Sequence, residues 1–347
     1  MIRALFSFVL FAAAFAGCGG PGNVQAPIGG SPPSEHPAPL GTPSFAAVAR
    51  SAHGMSLYGI DGAVFVVATG KLARVGPRGL DLIPPPQGKE KWSIYAITGR
   101  WPDAAYLAWF TQPRCRGSSI EFYKWTGSAW TQSGGGAIGY TAASLDWQMR
   151  TPRPVVPGCG TAYSAAANER NAWFLAKLGC SSEYQWFLFP PNRAEGDVLP
   201  WASPRSDNLW LVGGTTDEVY VAVHGSGDTK TKLMRFDVRD RAWTEATVPI
   251  GTTAARLGAA SVSARGTLWA IARDEGSDAP DALYRRARGG AWEAVDLGGG
   301  LVPRNVVARD DDDVWVVATP PGGREAEQDA TLLHTGPAPA ALVDFDH

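Results

Sequence analysis

The sequence predicts an all-β fold in which one four-stranded unit repeats around a ring. Three observations carry that expectation. A turn followed by an apolar run around an aromatic residue recurs along most of the 347 residues. A second, shorter strand-like segment follows each run. Glycine, proline and tryptophan are abundant, at 41, 27 and 14 residues, as a turn-rich β chain requires.

The apolar runs come first. Asp61-Gly62 leads into AVFVVA around Phe65, and Pro102-Asp103 into AAYLAWF around Tyr106. Glu169-Arg170-Asn171 leads into AWFLA around Trp173, and Asp217-Glu218 into VYVAV around Tyr220. Arg265-Gly266 precedes TLWAIA around Trp269, and Asp311-Asp312-Asp313 precedes VWVVA around Trp315. Strands covered on both faces read as such unbroken runs.

The second element begins at Lys71, Ile120, Tyr184, Lys232, Ala282 and Thr331. It alternates where legible, as in LMRFD and LYRRA, which suits a half-exposed outer strand. Several copies close on a turn and a tryptophan: Trp130, Trp243 and Trp292. The apolar stretch before each run, such as Ser93 to Thr98 or Leu257 to Val262, supplies a fourth strand.

Four short strands in roughly 50 residues make a β-propeller blade. One such unit cannot bury its own faces, so the ring must close. Six units fit between about Ser44 and Asp346. The stretch Ala137 to Pro157 breaks the period and is either an inserted loop or part of a degenerate seventh blade. Ser44 to Arg50 and Leu342 to Phe345 are spare strand-like segments at the two ends. One is expected to complete a blade begun by the other.

Motifs such as DDVWVVA and GAWEAV resemble the WD-repeat and sialidase-like propeller families, and propeller lipoproteins of bacteria in particular. The chain has neither a Gly-His…Trp-Asp pair at WD-repeat spacing nor a Ser-x-Asp-x-Gly-x-x-Trp box. The function of neither family therefore carries over, because a fold alone does not fix one.

The first residues have another character. Met1-Ile2-Arg3 brings one positive charge, and Ala4 to Ala16 is apolar apart from Ser7. That run is shorter than the roughly 20 residues a spanning helix needs and has the length of a signal-peptide core. Phe15-Ala16-Gly17-Cys18 resembles the lipobox of bacterial lipoproteins, with Phe15 where leucine is more usual. The resemblance implies a signal peptide at 1–17 and a lipidated Cys18 that ties the chain to a membrane. Gly19 stands where an aspartate would imply inner-membrane retention, so the outer membrane is the implied location. Residues 18–43 are rich in proline and glycine and cannot bury enough apolar surface to order. As a coil this tether reaches roughly 25–30 Å. Residues 44–347 form the propeller.

A net charge of −2 with no basic stripe argues against nucleic acid. The arginines are scattered among acids, and solvated surface charge is the plainer reading. Apart from Cys18, the cysteines are Cys115, Cys159 and Cys180. An exported chain lives where disulfides persist. Cys159–Cys180, closing a loop within one blade, is favoured over Cys115–Cys159, which would clip two blades together. The cysteine spacings match no zinc pattern, and neither a metal nor a cofactor is implied. Asp310 to Asp313 reads as the turn before a buried strand rather than as a calcium loop. His224 and His334 read as surface residues, and no catalytic constellation emerges.

The strongest candidates for binding lie in the irregular stretch: Tyr140, Trp147, Arg150 and Arg153. Aromatic and arginine side chains are frequent anchors, and long loops on a rigid frame often carry function. The sequence reading is therefore a non-enzymatic, lipid-anchored propeller that binds a protein or glycan of the cell envelope. The alternatives are a propeller enzyme acting on glycans as hydrolase or lyase, and a scaffold within an envelope complex.

Overall fold

The computed structural model describes residues 41–60, 62–76, 79–89, 94–111, 119–137, 160–168, 171–180, 183–190, 196–202, 207–225, 231–249, 255–274, 279–322, 329–336 and 342–346. Among them there are strands and turns but no helix. The chain is an all-β propeller of four-stranded blades.

After β1 (Ala46–Ser51), five sheets are built from four consecutive strands each. The first blade is β2 (Ser56–Ile60), β3 (Ala63–Ala68), β4 (Lys71–Gly76) and β5 (Gly79–Ile83). The second is β6 (Ile94–Arg100), β7 (Ala104–Thr111), β8 (Ser119–Trp125) and β9 (Trp130–Ala137). The third is β10 (Gly160–Asn168), β11 (Asn171–Cys180), β12 (Glu183–Phe189) and the two-residue β13 (Asp197–Val198). The fourth is β14 (Asp207–Gly214), β15 (Glu218–Gly225), β16 (Thr231–Asp237) and β17 (Ala242–Ala246). The fifth is β18 (Ala255–Val262), β19 (Leu268–Asp274), β20 (Ala282–Arg286) and β21 (Trp292–Val295).

The remaining sheet departs from the four-stranded expectation. It runs β22 (Val302–Asp310), β23 (Asp313–Thr319), β24 (Ala330–His334), then β1, then β25 (Val343–Asp344). The N-terminal strand pairs antiparallel with β24, and β25 adds a fifth strand parallel to β1. Both spare end segments are thus used in one closing sheet. The chain end is pinned as well: Phe345 is buried, and its carbonyl accepts from Thr69 Oγ1 at 2.9 Å and Lys71 Nζ at 2.8 Å. Asp346 accepts from the Ala52 amide and the Ser51 hydroxyl.

The first strand of each sheet lies next to the axis. β2 packs beside β22 and β6, β10 beside β6 and β14, and β18 beside β14 and β22, so the ring is continuous. These strands are bulged in every sheet except the first blade. A bulge bends a strand and turns a side chain away from its regular direction.

The cores lie between sheets, which explains the unbroken apolar runs. Successive residues of a second strand point to opposite faces. Val64 and Val66 pack toward Trp315, Val317 and Phe345 of the closing sheet, while Phe65 between them packs toward Leu107 and Trp125. Trp269 and Ile271 face the closing sheet, whereas Leu268 and Ala270 face the fourth blade. Both faces need apolar side chains because both are covered. The axial strands are less buried than these runs, as the patterns of β2 and β3 show.

Candidate functional site

The connections divide the ring into two rims. Between the first and second strands of each sheet they are short, from two residues (311–312) to five (263–267). This rim is stitched turn to turn. Ser263 Oγ accepts the Thr267 amide and donates to Asp311 Oδ1 of the next sheet at 2.6 Å. The Ala264 amide donates to the Arg309 carbonyl, and Arg265 pairs with Asp310 at 3.0 Å. Gly62 has φ 80°, and a Cβ there would lie 2.9 Å from the Trp101 carbonyl of the neighbouring turn.

Two charged clusters sit on this turn rim. Asp313 Oδ1 accepts from Trp315 Nε1 at 2.7 Å and lies 3.0 Å from His334 Nε2, and Arg309 reaches Oδ2 at 3.3 Å. The Gly336 amide donates to His334 Nδ1, so the neutral ring carries its proton on Nε2 and donates to Asp313. His334 also stacks on Trp315, with centroids 3.9 Å apart. His334 is therefore a half-buried strut, which corrects the surface role read from sequence. Burial alone would raise the Asp313 pKa. The hydrogen bond from His334, the Arg309 charge and the Trp315 donor outweigh it and hold the carboxyl below its ordinary value. Asp310 to Asp313 forms the turn between β22 and β23.

The second cluster centres on buried Glu218, which is met by Arg288 and Arg235 at 3.7 and 3.9 Å. Nearby Tyr220 is pushed up to about 12 by burial and by the charge of Glu218, against Arg286 and Arg235. Both clusters tie neighbouring strands and turns together and act as braces, the second around the buried Glu218 carboxylate.

The opposite rim carries the longer connections, including 138–159 between β9 and β10. Here lies a recess of about 160 Å³ between the fifth blade and the closing sheet, lined by Arg256, Arg273, Asp281, Arg304 and the backbone around Gly258 and Pro303. Two bulges shape it. Gly258 and Ala259 lie between the paired positions Leu257 and Ala260 of β18. Arg304 lies in the break between Pro303 and Asn305 of β22. Arg304 Nε donates to Thr319 Oγ1 at 2.9 Å, and its Nη1 donates to Asp281 Oδ2 at 3.3 Å. Arg273 Nε stands 4.0 Å from the other oxygen of Asp281. Arg256 and Arg273 are directly opposite across the β18–β19 pair. Like charges in that relation repel, and Asp281 beside Arg273 offsets part of that repulsion.

Tyr140, Trp147, Arg150 and Arg153 lie outside the described residues, as do Cys18, Cys115 and Cys159; for Cys180 only the backbone, at the end of β11, is described. The strands flanking the irregular stretch, β9 and β10, end and begin at the loop rim. The recess itself was not read from sequence. One signal was available: Arg256 and Arg304 stand one repeat apart, near the starts of successive axial strands. No group of three or more metal-ligating side chains occurs among the described residues.

The sequence matches no protein family and no curated protein. Solved structures match over most of the chain at low identity. Aldose sugar dehydrogenase from Streptomyces coelicolor, in its PQQ-bound form, is 16% identical with a TM-score of 0.43, over 85% of this chain and 99% of that one. A subtype N11 neuraminidase-like protein of A/flat-faced bat/Peru/033/2010 (H18N11) is 11% identical with a TM-score of 0.41, over 87% and 96%. A prolyl endopeptidase is 10% identical with a TM-score of 0.41, and this chain spans 40% of its length. The activities of these proteins differ widely and none transfers. The propeller assignment rests on the sheet order and the ring of axial strands.

Proposed function

We propose that this chain is a cell-envelope lipoprotein, anchored at the outer membrane through lipid on Cys18, whose propeller binds an envelope ligand at the loop rim. The recess beside the axial strands is the observation that carries the binding reading. It offers three guanidinium groups and one carboxylate, Asp281, that is already engaged by two of them. That set suits recognition. Glycoside hydrolysis uses two opposed carboxylates, and among the described residues the recess has one. The ligand class of this reading is a glycan or protein of the envelope. A disulfide between Cys159 and Cys180 would brace the same rim.

Two measurements test the reading. Cys18→Ser should move the protein from the membrane fraction to the soluble fraction, and an unchanged distribution removes the lipid anchor. Purified protein incubated with envelope glycans and with crosslinked envelope should retain a ligand without converting it. Product formation would instead place the chain among propeller enzymes.

A further inference from the structure

We infer that the recess between β18, β19 and β22 is a binding site for a compact oxyanion, a carboxylate, phosphate or sulfate group carried by the ligand. The inference rests on the reading of the propeller as a binding module and names the chemistry its site recognises.

Four observations converge. The recess holds about 160 Å³, room for a small head group rather than a bare ion. Its three arginines come from three different strands, β18, β19 and β22, so no local sequence run forces them together. Arg256 and Arg273 stand directly opposite across the β18–β19 pair, so two neighbouring strands present guanidinium groups to one recess. Arg304 is redirected by a bulge, and its fork is held by the buried hydroxyl of Thr319 before any ligand arrives. A pre-oriented guanidinium loses little freedom on binding and matches the paired oxygens of an oxyanion.

Asp281 gives the site its resting state. Its two oxygens face Arg273 and Arg304 separately, at 4.0 and 3.3 Å. A ligand oxyanion therefore competes with a resident carboxylate. This makes the site testable in a way a mere salt-bridge network is not. Removing the Asp281 charge should strengthen oxyanion binding, whereas a structural bridge would only be weakened.

The experiment uses the full-length protein in detergent, titrated with inorganic phosphate against chloride at matched ionic strength, and followed by calorimetry and by the shift in Tm that ligand binding produces. Sulfate and acetate are run as separate arms, and the strongest response identifies the oxyanion. The expected result is saturable binding to wild type, roughly tenfold weaker binding to Arg273→Gln and several-fold tighter binding to Asp281→Asn. Arg273 is exposed, so its variant should fold, and its circular dichroism checks this. No saturable response to any of the three anions overturns the site. So does an Asp281→Asn variant that binds no more tightly than wild type. Failure here with envelope ligand still retained by wild type removes the oxyanion site alone. Loss of retention by wild type removes the broader binding reading.

Discussion

The turn rim and the loop rim are made from the same sheets and differ in how their polar groups are used. On the turn rim hydroxyl and charged groups answer one another within and between neighbouring turns, as Ser263 answers Thr267 and Asp311. On the loop rim Arg256 and Arg273 stand opposite one another on paired strands as like charges, and Arg304 joins them from the next sheet. One end of the ring is laced from turn to turn by hydrogen bonds and ion pairs. The other holds repulsion partly offset by Asp281. Natural folds accept such local conflict where a ligand or a mechanism offsets it.

Substitutions should separate the rims by what they change. The largest effect is expected on the turn rim from Asp313→Ala. It strips Trp315, His334 and Arg309 of a shared acceptor, and denaturant unfolding should report a loss of about 2–4 kcal/mol. The same carboxyl gives a pH signature. Its folded-state pKa lies below that of the unfolded chain, so its contribution is fully present above the unfolded value and is lost as pH falls through the folded one. The stability gap between wild type and Asp313→Asn should therefore be constant near neutrality and shrink on acidification below about pH 4. Unfolding curves across that range check it.

Gly62→Ala comes next, at about 2 kcal/mol. The positive φ penalises a side chain, and the new Cβ would meet the Trp101 carbonyl. A thermal melt would show it. Arg273→Gln on the loop rim should alter stability least, within about 0.5 kcal/mol, because the side chain is exposed and its nearest carboxylate is 4.0 Å away. A large loss there would mean that the loop rim is as load-sharing as the turn rim.

Much of the fold was legible because burial on both faces leaves a mark in the chain. AVFVVA reads as continuous because Val64 and Phe65 serve different cores. The joining of the two ends was legible from unmatched strand-like segments. Two things were not. Leu342 to Phe345 reads as strand-like, but two residues of parallel pairing do not show in advance that they add a fifth strand to the sheet β1 already completes. The recess depends on bulges, which shift register without any distinctive residue type. Scattered arginines look alike in sequence, and only pairing shows that Arg256 faces Arg273. His334 was misread because its place in an outer strand suggested solvent, whereas Trp315 and Asp313 enclose it.

The path of β1 has a mechanical consequence. Ala46, where the strand begins, pairs with His334, where β24 ends at the turn rim, and Gly41 already accepts a hydrogen bond from Arg285 beside it. A pull applied at Ala46 along the axis of β1 loads this pairing directly. Antiparallel hydrogen bonds stand across the strands, so such a load strains the β1–β24 pairs together in shear rather than peeling them one at a time. The seam that closes the ring is thus oriented to resist tension applied along β1.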